Sequence, residues 1–118
     1  MLQNQGVNKA ILVGHVYGQP QWEKTEKDNY LCFQMVTNES FNRNQVLQEH
    51  FEHHFIRIPE QLAGNIEAEL EDGMELHIEG KVNTRVSVDG GGIKRYDTGI
   101  IASKFSILAK SPHKVAIG

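Results

Sequence analysis

The densest run of side chains able to do chemistry is His50-Phe51-Glu52-His53-His54-Phe55-Ile56-Arg57. Three histidines and a glutamate are potential ligands for zinc, which requires them to converge tetrahedrally on one point. Two phenylalanines and an arginine instead offer flat and cationic surfaces on which unpaired bases stack and phosphates rest. Spacing separates the two chemistries. In a strand His53 and His54 point to opposite sides, so the group cannot close around an ion without a bulge, and no metal is expected. Phe51, His53, Phe55 and Arg57 share one face, while Glu52, His54, Ile56 and Ile58 share the other. Ile56 and Ile58 are the better core candidates. Phe51 and Phe55 either stack bases or fill a core or subunit interface.

Other side chains extend the stacking reading. Phe41 and Arg43 stand two residues apart in the polar stretch Glu39–Glu49, and Lys81, Arg85, Lys94 and Arg95 follow later in the chain. The whole chain carries a net charge of −3, but the charge is segregated. Glu60 to Glu79 holds seven acids and no Lys or Arg, whereas Gly80 to the end holds seven bases against Asp89 and Asp97. A local field of one sign attracts a polyanion even when the molecule is anionic overall. Ordinary solubility is the competing account of these bases. Other chemistries find less support. Gly90-Gly91-Gly92 lacks the Lys-Ser/Thr pair and following helix of a phosphate loop. The single cysteine, Cys32, excludes a disulfide framework. No catalytic constellation assembles, so no enzyme activity and no cofactor are expected.

The elements that must position these residues follow from hydrophobic pattern. Strands are predicted over Asn8–Val16, Tyr30–Asn38, Phe51–Ile58, Met74–Arg85 and Tyr96–Leu108. In the fourth, Met74, Leu76, Ile78, Val82 and Thr84 should point inward, with a bend at Gly80. Glu39–Glu49 has no apolar periodicity and reads as a mobile hairpin, disordered without ligand. After Pro59, Leu62, Ile66 and Leu70 recur every four residues, predicting a helix that Asp72-Gly73 ends. Asp89–Gly92 is a hairpin tip. No apolar run approaches the ~20 residues of a membrane span, and the first five residues lack the basic and apolar regions of a signal peptide. The fold class is therefore all-β with one helix: a five-stranded OB-fold barrel with the helix between strands 3 and 4. Residues 1–118 are expected to form one such domain, with the barrel over about 7–109 and a tail over 110–118.

Several stretches carry a resemblance. Gly6–Gly14 (GVNKAILVG), Val36–Phe41 (VTNESF), Ile78–Val82 (IEGKV) with Thr84-Arg85, and Arg95–Ile101 (RYDTGII) resemble, in order, the strands of the bacterial and mitochondrial single-stranded-DNA-binding protein family. The resemblance implies an OB fold, single-stranded nucleic acid as partner, no membrane, and a platform of aromatics. The chain departs from the family pattern there. Phe41, His53 and Ser87 stand where tryptophans are expected and Pro59 where another aromatic is. Trp22 lies elsewhere, and the ending is not acidic.

His53-His54-Phe55-Ile56-Arg57 and Pro112–Gly118 also resemble OB domains of kinetoplastid mitochondrial RNA-editing complexes. That subgroup would make the chain an RNA-binding scaffold component in the mitochondrial matrix. A DNA-coating protein, mitochondrial or in the bacterial cytoplasm, and a protein-interaction domain with little nucleic-acid binding are the alternatives. The resulting binding set is Phe41, Arg43, Phe51, His53, Phe55, Arg57, Lys81, Arg85, Lys94 and Arg95, for single-stranded RNA or DNA. Because the first strand is apolar on both faces, self-association or assembly with related OB domains is expected, through Ala10, Leu12 and His54.

Overall fold

Five long strands, each with a buried stretch and some with fully exposed ends, make up the molecule, described here from a computed structural model covering residues 6–64, 66 and 69–109. The elements are β1 (Ala10–Lys24), β2 (Asn29–Arg43), β3 (Val46–Pro59), α1 (Glu60–Ala63), β4 (Glu75–Val88) and β5 (Lys94–Ala109). They close into a barrel in the order β1-β2-β3-β5-β4. Neighbours are antiparallel except β3 and β5, which run parallel where Ile56 faces Ile100 and Arg57 faces Ile101. This is the five-stranded OB barrel, with a short helix between β3 and β4. The tail expected over 110–118 lies outside the described residues.

The barrel interior is filled by Val16, Leu31, Phe33, Met35, Ile56, Ile58, Leu76, Ile78, Ile100 and Ala102, with Ala63, Leu70 and Met74 in the same cluster. Each large side chain taken fully from water contributes about 1.5–3 kcal/mol. Strands must approach one another closely to close so small a barrel, and glycine permits it at two places. A Cβ on Gly14 would strike the Val36 carbonyl, and one on Gly80 the Ile101 carbonyl. Gly80 also sits at a register shift between β4 and β5, the bend its position predicts.

Three expectations are corrected. The helix is one turn, Glu60–Ala63, ended by Gly64 at φ +54°. Leu62 is exposed, whereas Ala63 and Leu70 reach the core. Asp72-Gly73 does not end that helix. It ties the chain back to a bulge in β1: the Gly18 amide donates to Asp72 Oδ1 at 2.7 Å, and the Gly73 amide to the Val16 carbonyl at 2.7 Å.

Glu39–Glu49 is the expected hairpin, but it is a regular extension of two paired strands and not a disordered one. β2 and β3 stay in continuous register from Tyr30–Pro59 out to Arg43–Val46, and Asn44 and Gln45 make the turn at φ 53° and 65°. Positive φ at both central residues is the two-residue hairpin turn that matches strand twist. The outer half of this hairpin stands clear of the barrel, so both of its faces are exposed and no apolar alternation was required of it.

Val82 and Thr84, expected inside, are exposed, because β4 and β5 also run past the barrel as an arm. Asp89 closes the tip of that arm, its Oδ1 accepting from the Gly91 and Ile93 amides at 2.9 and 3.0 Å.

Candidate nucleic-acid interface

The outer face of β1, β2 and β3 brings aromatic, amide and cationic groups together. Cross-strand register pairs Tyr17 with Gln34, Gln34 with Phe55, and Cys32 with Arg57. The Tyr17 and His53 rings meet edge to face with centroids 5.2 Å apart. His53 Nδ1 donates to Gln34 Oε1 at 3.1 Å. Phe55, 37% exposed, lies against the Arg57 guanidinium, whose Cζ is 4.6 Å from the ring centroid. Beside them the β1 bulge opens a cleft of about 390 Å³, lined by Tyr17, Gln21, Trp22, Cys32, Gln34 and Phe55 among others.

Arg57 is not the surface cation that its position in the pattern suggested. It is 4% exposed, held beneath Phe55 and beside Gly99, where a Cβ would come within 2.8 Å of its Nη1. Its Nε is 3.7 Å from Glu23 Oε1, and the same oxygen lies 2.9 Å from Arg85 Nη2. Arg85 also rests over the Tyr30 ring at 5.6 Å. Two of the expected phosphate contacts are thus occupied by one carboxylate. Cys32 lies buried against this group, and desolvation, aided by Glu23, pushes its thiol up to about 11 despite the opposing pull of Arg57 and Arg85.

The remaining candidates divide between two arms. Strand alternation along the uninterrupted β2–β3 register puts Phe51 on the outer face with His53 and Phe55. The same alternation puts Phe41 and Arg43 on the opposite face of the hairpin. Both groups are exposed, so a single strand touching both must pass around an edge of the ribbon. On the β4–β5 arm Lys94 and Arg95 are exposed near the tip, and Arg85 stands opposite Asp97. Lys81 is exposed farther down, beside a groove shared with Asn8, Lys9 and Ser103; Asn8 clamps the Val82 backbone there at 2.8 and 3.0 Å.

Tyr96 was missed as a candidate stacker. It is 65% exposed and faces Val86 across the arm, with Val88 and Ile93 also exposed. The sequence signal was present: a tyrosine beside Arg95 at a hairpin end, where neither face meets a core.

The interface residues are also placed differently. Ala10 and Leu12 pack against the core, in phase with Gly14 and Val16, so they are not the outward side of β1. That side carries Ile11 and Val13, 56% and 49% exposed. His54 is half-buried and hydrogen-bonded to Thr37 Oγ1 at 2.9 Å.

Comparison with known proteins gives a consistent result. The sequence pattern of the single-strand binding protein family matches residues 7–108. The chain is 32% identical over 107 residues to single-stranded DNA-binding protein 1 of Chlorobaculum tepidum, covering 88% of this chain and 66% of that protein. It is 28% identical over 105 residues to the single-stranded DNA-binding protein of Rickettsia conorii, covering 85% and 68%. It therefore spans about two thirds of the length of these relatives. Among solved structures, a Plasmodium falciparum SSB in complex with ssDNA superposes with a TM-score of 0.79 at 23% identity, covering 91% of this chain and 99% of the other.

Proposed function

This chain belongs to the single-strand binding protein family, and on that premise we propose that it binds single-stranded DNA without strong sequence preference. The carrying observation is the half-exposed Phe55 ring seated on Arg57 beside an open cleft. A ring backed by a buried cation is a rigid platform for any base, since every base has a π-face. Exposed Arg43, Lys81, Lys94 and Arg95 supply phosphate contacts around it. The aromatic set is thin, so ionic contacts carry a large share of the affinity.

RNA is the second reading, favoured by the His53–Arg57 wording and by phenylalanine and histidine where the family has tryptophan. On it the chain is an RNA-binding scaffold component of a mitochondrial editing complex, whereas the bacterial relatives favour a DNA-coating role of the bacterial-cytoplasm type. Stacking and phosphate contacts do not test the 2′-hydroxyl. Fluorescence anisotropy with matched oligothymidylate and oligouridylate, titrated over salt, separates the readings. Comparable or tighter DNA binding with a steep salt slope is expected; strong preference for the RNA transfers the proposal to the editing role, and no binding of either at low salt refutes both.

Ile11 and Val13 side by side on an exposed strand face support self-association through the outward side of β1, with a second copy or with a related OB domain. Such a pair of apolar side chains on a regular strand is the kind of surface a partner strand or sheet covers.

A further inference from the structure

We propose that Glu23 is a displaceable carboxylate holding closed a phosphate subsite formed by Arg57 and Arg85, an inference that rests on the single-strand reading above. One carboxylate oxygen lies 2.9 Å from Arg85 Nη2 and 3.7 Å from Arg57 Nε, so a lone anion sits between two guanidiniums. The three side chains together keep one positive charge. The arrangement is under-satisfied: Arg57 Nε and Nη1 are buried and have no hydrogen-bond partner among the described residues. Buried cationic donors left unpaired are costly, and a tetrahedral phosphodiester offers more acceptors than the one carboxylate oxygen now shared.

The mobility needed is distributed unequally. Arg57 is 4% exposed and wedged between Phe55 and Gly99. The side chains of Glu23 and Arg85 are 36% and 33% exposed, and Glu23 lies next to the end of β1, just before the turn closed by Thr25 and Asp28. The carboxylate can therefore swing to water while both guanidiniums remain. Glu23 also lines the cleft beside Phe55. A nucleotide whose base stacks on Phe55 would bring its own phosphate to the same Arg57 that backs the ring. The exchange breaks and makes only ion pairs: the phosphate enters, the carboxylate leaves, and no proton need move.

The test is a cycle of Glu23→Gln, Arg85→Ala and the double variant, binding labelled oligothymidylate over a salt series with thermal unfolding as the control for folding. Glu23→Gln should tighten binding by about 3–10-fold and steepen the salt dependence by the ~0.7 that one phosphate contributes on a single strand. With Arg85→Ala in the background the gain should shrink to about twofold or less, the residue of a general field. An equal gain in both backgrounds, or binding by folded Glu23→Gln no tighter than wild type, would overturn the subsite. If Glu23→Gln fails to fold, Glu23→Asp keeps the charge but shortens the side chain by one methylene, loosening its hold on the two guanidiniums. It too should bind more tightly, and wild-type affinity would overturn the proposal. No binding by the wild type at low salt refutes the single-strand reading itself, a result distinguishable from either of these.

Discussion

Phe55 and Phe41 lie on opposite faces of one hairpin, and their contributions to binding should be separable. Replacement of Phe55 by alanine is expected to weaken oligonucleotide binding by about 1–3 kcal/mol, the range for a base-stacking aromatic. If a strand wraps the arm, Phe41→Ala adds a further loss and the double variant shows near-additivity. Anisotropy titrations of the three variants check this; a loss from Phe41→Ala with none from Phe55→Ala would move the site to the other face.

Cys32 makes a separate prediction. Its thiol is pushed from 9.0 to about 11 by burial, so it should react slowly with alkylating reagents at pH 8 until the protein is unfolded. The sign for stability follows from proton linkage. Between pH 9 and about 11 the unfolded thiol ionises while the folded one keeps its proton, so this group's contribution is intact below pH 9 and is lost as pH rises toward 11. Chemical denaturation of wild type and Cys32→Ser across that window should show a steeper alkaline fall for wild type.

At the scale of elements, the two arms show where sequence pattern stops being informative. Strand patterns are legible when one side meets a core: Leu31, Phe33 and Met35, or Leu76 and Ile78, alternate and are buried. Glu39–Glu49 meets no core on either side, so nothing in its residues had to alternate, and Asn44-Gln45 is a weak turn signal compared with Asn-Gly. The helix erred oppositely. Leu62, Ile66 and Leu70 have helical spacing, yet Gly64 adopts φ +54° and stops the turn after Ala63.

Gln45 holds φ 65°, a region in which a side chain costs about 1–2 kcal/mol and glycine does not. Gln45→Gly should therefore stabilise the β2–β3 hairpin by up to about 1 kcal/mol after its entropic cost. Amide exchange across 39–49 should slow in that variant; unchanged or faster exchange would mean that the turn is not strained.

For the whole molecule, the first strand illustrates both the reach and the limit of the pattern. Ala10 to Val13 is apolar on both faces, so local composition could not say which side meets the core. The phase could: Val16, buried, is in step with Ala10 and Leu12. Substituting Ala10→Asp with Leu12→Lys should accordingly unfold the barrel, whereas Ile11→Asp with Val13→Lys should leave it folded and reduce self-association. Sedimentation with circular dichroism distinguishes these outcomes, and a folded, monomeric Ala10/Leu12 variant would contradict the placement. The family was legible in the motifs IEGKV and RYDTGII, which run along paired strands between the barrel and the β4–β5 arm. The burial of Arg57 was not, since alternation places it outside while the passage of β5 over Gly99 covers it.

The central claim is that single strands bind on the outer β1–β2–β3 face. The most direct measurement is a ¹⁵N chemical-shift map of the protein titrated with oligothymidylate at low salt. The predicted result is a contiguous set of perturbations at Tyr17, Gln34, His53, Phe55 and the Arg85 region, fading as salt rises. Perturbations confined to Ile11–His15, or none at saturating oligonucleotide, would contradict it.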